Sequence, residues 1–170
     1  MLQVINNFLN NNEFHSIRQI ITSSHFPWYF PESGEKKFIH NLVKKNEEDI
    51  KTSFWITPIL SPLLRKLEVY GKDIPDKNVV SAYIVLTHKT KETFESKPIE
   101  DVFKIDLNEP SETAKLYLNN NNGYTKIVGG DKVESVQNRL LIFDSRYLHK
   151  AYGHHDGRLN LLLGVKYATN

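Results

Sequence analysis

The stretch Thr113-Ala114-Lys115-Leu116-Tyr117-Leu118-Asn119, followed by Asn121-Asn122-Gly123 and then Tyr124-Thr125-Lys126-Ile127-Val128, reads as two short strands joined by a turn. Asn and Gly supply the turn because they tolerate backbone conformations that branched side chains resist, while the flanking runs are rich in residues that pack on a pleated surface. Working outward, Gly129-Gly130-Asp131 marks the next turn, and Leu140 to Phe143 and Leu159 to Tyr167 continue the pattern downstream. Upstream, Val79 to Leu86 and Phe103 to Leu107 have the same character. Six or more short strands with no helix between them predict an antiparallel sandwich or barrel rather than alternating strand and helix units.

The first part of the chain has a different period. Phe14, Ile17, Ile20 and Ile21 recur at helical spacing behind Asn10 to Asn12, whose side chains suit a helix N-terminus, so a helix is predicted over about 12–23. A second helix is predicted from Ser61 as N-cap and Pro62 at the first helical position, with Leu63, Leu64, Leu67 and Tyr70 on one face and Gly71 as the stop. Between them, Phe26-Pro27-Trp28-Tyr29-Phe30 is expected to pin helix to sheet, and the polar stretch from Pro31 to Lys51 reads as loop or short irregular strands. The expectation is one domain over 1–170 of α+β, mainly β class. A helical part over about 1–75 packs on one sheet of a β core over about 76–170.

Composition narrows the chemistry. The 22 basic side chains nearly balance the 20 acidic ones, without a long Lys/Arg block, so nothing indicates nucleic acid. There is no cysteine, which excludes disulfides, thiolate metal sites and a cysteine nucleophile. No apolar run approaches the ~18 residues of a membrane span, and Met1 to Asn7 lack the pattern of an export signal, so no membrane role is expected and a cytoplasmic location is.

The chemistry-bearing residues fall in the β part: Lys104-Ile105-Asp106, Tyr117, His149 and Arg158. Together with the strings Thr113 to Asn119, Asn122-Gly123-Tyr124-Thr125 and Val133 to Asp144, they resemble small Fe(II)/2-oxoglutarate dioxygenases of the phage type and, more distantly, prolyl hydroxylases. The resemblance covers Val79 to Tyr167, about half of the chain. It implies a double-stranded β-helix, or jelly-roll, with Fe(II) and 2-oxoglutarate as cofactors and oxidative hydroxylation as the activity. In that family a His-x-Asp strand motif and a distal His form a facial triad on the iron. The resemblance places Asp106 and His149 as metal ligands, and Arg158 with Tyr117 as anchors for the far carboxylate of 2-oxoglutarate. An Arg fork suits a carboxylate better than a Lys does.

Lys104 departs from the pattern, standing where the first histidine belongs. A protonated ammonium has no lone pair and cannot ligate iron. The expectation is an ion pair between Lys104 and Asp106 in the space of the cation, two residues apart on one strand face. Rescue of the third ligand position by His154 or His155, in the loop Gly153 to Gly157, is the lesser alternative, because loop ligands are seldom held by their surroundings. His88, Glu100 and Asp101 are not placed by the sequence, and His15, His25 and His40 carry no motif. Taken singly, Asp106 reads as a salt-bridge residue, His149 as a core histidine, Arg158 as a surface cation and Tyr117 as plain core. Three functions stay open: an oxygenase; a non-catalytic descendant that binds a dicarboxylate such as 2-oxoglutarate or a protein partner; and an unrelated jelly-roll binding domain.

Overall fold

The structure, a computed structural model, describes residues 2–30, 37–45, 50–72, 74–75, 78–87, 110–147, 149–152 and 160–169. In chain order the elements are β1 (Leu2–Ile5), α1 (Asn11–Thr22), β2 (Lys37–Lys45), β3 (Ile50–Thr52), α2 (Ile56–Val69), β4 (Val79–Thr87), β5 (Ser111–Tyr117), β6 (Tyr124–Ile127), β7 (Lys132–Glu134), β8 (Arg139–Asp144), β9 (His149–Tyr152) and β10 (Asn160–Ala168). They form a seven-stranded sheet ordered β1-β8-β5-β10-β4-β2-β3 and a three-stranded sheet ordered β7-β6-β9. Every described pairing is antiparallel. The two sheets face one another as a jelly-roll, as expected, and the helices cover the outer face of the large sheet. The strand expected at Phe103 to Leu107 lies outside the described residues.

Alternation along β5 divides the interior in two. Ala114 and Leu116 point to the helix side, into a core that includes Phe14, Ile17 and Ile21 of α1 and Ile59, Leu63 and Leu67 of α2. Thr113, Lys115 and Tyr117 point the other way, toward the small sheet, where Tyr117 packs with Ile127, Val133, Leu141 and Phe143. Glu112 faces the helices and ties them down: Lys72 Nζ and the Tyr167 hydroxyl each donate to its carboxylate at 2.8 Å.

The first helix forms as predicted, with the Asn10 side chain accepting from Glu13 N at 2.9 Å. The second begins earlier than expected. Ser61 is not its N-cap; the helix starts at Ile56, behind Ser53, whose carbonyl accepts from Ile56 N and whose hydroxyl accepts from Trp55 N. Pro58 falls in the first turn, where no intrahelical N–H partner is needed, and Pro62 lies inside, forgoing one helical bond. The apolar face from Ile59 to Leu67 holds the helix against that loss, since burying each aliphatic side chain contributes about 2 kcal/mol. Gly71 ends it as predicted: φ is +76°, Lys72 N donates to Leu67 O, and Gly71 N donates to Glu68 O.

The polar stretch expected to be loop or short irregular strands is strand where it is described. β2 runs nine residues and pairs with β4 and β3, with a bulge between Asn41 and Val43 that buries both Leu42 and Val43. The bulge breaks strict alternation, which hides the strand in the sequence. The N-terminal part is therefore not only helical, because β1, β2 and β3 all join the large sheet. The aromatic segment does pin the helix side. Phe26 is buried against Trp28, Trp55 and His40, while Tyr29 and Phe30 are exposed. His40, which has no motif, donates from Nδ1 to Pro27 O at 2.8 Å and accepts at Nε2 from the Ser53 hydroxyl at 2.9 Å.

Asn138 holds the N-terminal segment. Its backbone is left-handed at φ 58°, its amide oxygen accepts from Leu9 N at 2.9 Å, and its amide nitrogen donates to Leu9 O at 2.8 Å. Removing a buried side chain that satisfies two backbone groups costs about 2–3 kcal/mol. Asn138→Ala is expected to lower the unfolding free energy by about that amount in urea denaturation, and Asn138→Gly by less, because glycine takes the positive φ without strain. Equal losses for both would mean that the backbone conformation contributes nothing.

Candidate functional site

The site builds from the inward-facing row of β5. Register places Lys115 opposite Gly164 of β10 on one side and Leu141 of β8 on the other, and Gly164 in turn opposite Tyr83 of β4. Gly164 is required by a close approach, since a Cβ there would meet the Tyr83 ring at 2.6 Å. Two residues further along β5, Tyr117 sits opposite Leu162 and Arg139. Facing this row across the barrel, β6 presents Thr125 and Ile127, and β9 pairs with β6 so that His149 lies beside Ile127.

The Tyr117 hydroxyl donates to Thr125 Oγ1 at 2.7 Å, joining the two sheets. Burial pushes the Tyr117 phenol up to about 12, against the opposing pull of Thr125 and of the Arg139 charge, so it is a neutral donor at ordinary pH. The Thr125 hydroxyl, having accepted from Tyr117, keeps its own proton to donate within the barrel.

His149 begins β9, after the turn in which Tyr147 N donates to Asp144 O and the Asp144 carboxylate accepts from Arg146. Its ring meets Phe143 edge-on at 5.0 Å between centroids. The Nδ1 atom lies 3.4 Å from Tyr147 O; a carbonyl only accepts, so Nδ1 carries the proton and Nε2 the lone pair. That lone pair is taken by Lys115, whose Nζ lies 2.6 Å from Nε2 and 5.5 Å from the centre of the Phe143 ring. Both partners are deeply buried, Lys115 at 2% exposure and His149 at 1%. Burial, and then the Lys115 charge, hold the imidazole down to about 3, opposed weakly by the Tyr147 carbonyl.

The structure thus brings together two of the residues expected from the sequence, Tyr117 and His149, on facing walls of the barrel. Lys104, Asp106, His154, His155 and Arg158, together with His88, Glu100 and Asp101, lie outside the described residues, and so does the expected contact of Lys104 with Asp106. Among the described residues, no three histidines or carboxylates gather as metal ligands. No described helix is long and apolar enough to cross a membrane. Sequence reasoning missed Lys115 and Thr125 as site residues. The signal for Lys115 was present: it lies between Ala114 and Leu116 in an apolar strand, on the parity of Tyr117.

No protein-family model matches the chain, and no curated protein matches it by sequence. Solved structures do match its shape. A Trichoplax adhaerens prolyl hydroxylase in complex with a peptide fragment of the hypoxia inducible factor oxygen degradation domain aligns with TM-score 0.64 and 12% identity, over 98% of this chain and 83% of that one. HygX from Streptomyces hygroscopicus, with nickel and 2-oxoglutarate bound, gives TM-score 0.65 and 11% identity over 99% and 83%. A Pseudomonas putida prolyl-4-hydroxylase gives 0.60 and 16% over 99% and 92%. The chain therefore has the jelly-roll fold of the 2-oxoglutarate-dependent oxygenases, helices included.

The sequence resemblance expects His149 as a metal ligand, and the arrangement around its ring, among the described residues, does not fit that role. A first-row metal binds imidazole nitrogen along its lone pair at about 2.1 Å. At Nε2 that direction belongs to the Lys115 ammonium at 2.6 Å, and a cation cannot share it.

The depressed His149 value has a pH consequence for the chelator-treated protein. Between the ordinary imidazole value of 6.5 and about 3 the unfolded chain binds a proton that the folded one refuses. Stability therefore falls as pH falls through this window, by up to about 1.4 kcal/mol per unit from this group. In an NMR titration, His149 is expected to remain neutral at pH 5. His149→Gln, which keeps an acceptor for Lys115, is expected to flatten the acid-side loss of stability. Protonation of His149 near pH 6 would contradict the buried contact.

Proposed function

We propose that this chain is a 2-oxoglutarate/Fe(II) dioxygenase-like protein that binds 2-oxoglutarate or a related short dicarboxylate inside its barrel, with iron-dependent hydroxylation impaired or lost. The observation that carries the reading is the buried Tyr117 hydroxyl, joined to Thr125 at the point where the resemblance expects the far carboxylate of 2-oxoglutarate. Neutral hydroxyl donors buried together suit a carboxylate, because a charge-assisted hydrogen bond is stronger than the neutral bond it replaces. Arg158, the expected partner fork, follows Tyr152 of β9 by six residues and precedes Asn160 of β10 by two. Lys104 in place of the first histidine argues against a complete iron site, whatever Asp106 contributes.

A second reading, an oxidative hydroxylase of unknown substrate, is favoured by the likeness of fold over 98–99% of the chain to enzymes, one of which holds nickel and 2-oxoglutarate. In it Asp106 and His149 ligate the metal, with His154 or His155 in the third position, and 2-oxoglutarate is turned over to succinate.

Calorimetric titration with 2-oxoglutarate and an assay for succinate in the presence of Fe(II) separate the two. Wild type is expected to bind 2-oxoglutarate and to form no succinate above a protein-free control. Tyr117→Phe is expected to weaken binding by about tenfold, the value of one hydrogen bond to a charged group. Iron-dependent succinate formation overturns loss of catalysis, and undetectable 2-oxoglutarate binding overturns the dicarboxylate reading.

A further inference from the structure

The contact between Lys115 and His149 reaches beyond the incomplete triad. In a metal site of this fold, the distal imidazole presents its lone pair to a cation, and the cation gathers the ligand's carboxylate. Here the imidazole presents the same lone pair, fixed by the Tyr147 carbonyl behind it, and the cation that meets it is the ammonium of Lys115. Lys115 is anchored inside the large sheet, on a strand paired with β10 and β8, and its ammonium lies over the Phe143 ring that also supports His149. The charge therefore sits on a rigid strand.

Lys115 and Tyr117 are separated by one residue on the same face of β5, a span of about 6.8 Å. A short dicarboxylate held by Tyr117 with Thr125 would have Lys115 as the next inward-facing side chain of the same strand.

We propose that Lys115 takes the metal's place on His149, so that this barrel binds a short 2-oxo dicarboxylate without metal, one carboxylate at Tyr117 and the other at Lys115. This rests on the dicarboxylate reading above. It adds two claims that the reading does not contain: binding is metal-independent, and the charge comes from a strand residue. An ammonium is a compact point charge with three donors, and it can hold a carboxylate while donating to an imidazole.

The test titrates the full chain with 2-oxoglutarate by calorimetry, once with excess EDTA and once with Ni(II), for wild type and Lys115→Met. Wild type is expected to bind equally well in both conditions. Lys115→Met is expected to bind at least about tenfold more weakly in EDTA, the value of a charge-assisted hydrogen bond. Binding by wild type that requires Ni(II) overturns the inference and leaves the dicarboxylate reading standing, whereas no binding in either condition overturns both.

A second measurement reads the wild-type protein directly. In a nitrogen-15 spectrum of wild-type histidine side chains, with His149 assigned through His149→Gln, excess Zn(II) is expected to leave the Nε2 resonance in place. A shift of Nε2 on adding Zn(II) would show that metal displaces Lys115, and the proposal would fail.

Discussion

Everything in this molecule depends on the two-residue period of β5. The strand lies in the middle of the large sheet, paired on both sides, so each side chain must go to one of two interiors and none to solvent. One parity, Ala114 and Leu116, is small and apolar and receives the helices. The other, Thr113, Lys115 and Tyr117, carries oxygen and nitrogen atoms that cannot be buried without partners. The second sheet meets that demand by bringing Thr125 to Tyr117 and His149 to Lys115. The small sheet is therefore held by polar contacts as well as by the packing of Ile127, Val133, Leu141 and Phe143.

A buried lysine is stabilising only when its surroundings suit an ammonium. The imidazole accepts one of its protons in good geometry, and the Phe143 ring offers its electron-rich face. Burial, and then the lysine's charge, keep His149 neutral, and the Tyr147 carbonyl sets its tautomer. Exchanging a metal for an ammonium keeps the sign of the charge while halving it and removing the Lewis acidity.

Much of the β architecture was legible because turn residues punctuate β-branched runs; β5, β6, β8 and β10 fall close to where those signals put them. β2 was legible only as loop or short irregular strands, since its bulge at Asn41 to Val43 sets two buried residues side by side where alternation predicts one. The start of α2 was obscured by Ser61-Pro62, a good N-terminal pair that tertiary packing overrides within a longer apolar helix. In the site, Tyr117 and His149 were expected from the resemblance. Lys115 escaped because a lysine is ordinarily read as solvated, and its depth depends on strands far away in sequence. The partners of His40 were equally invisible, for they come from a loop carbonyl and the hydroxyl ahead of α2.

The first strand sits at the edge of the large sheet, paired with β8, and the loop after it is clasped by Asn138, which is 129 positions from Leu9. Its partner is therefore made more than a hundred residues later. During translation Leu2, Phe8 and Leu9 are made well before Asn138 and keep apolar surface exposed until it has left the ribosome. Closing so long a loop is also slow, because the entropy must be spent before the contacts form. The strand at the edge of the sheet is thus expected to join late, after the segment that holds it has been made.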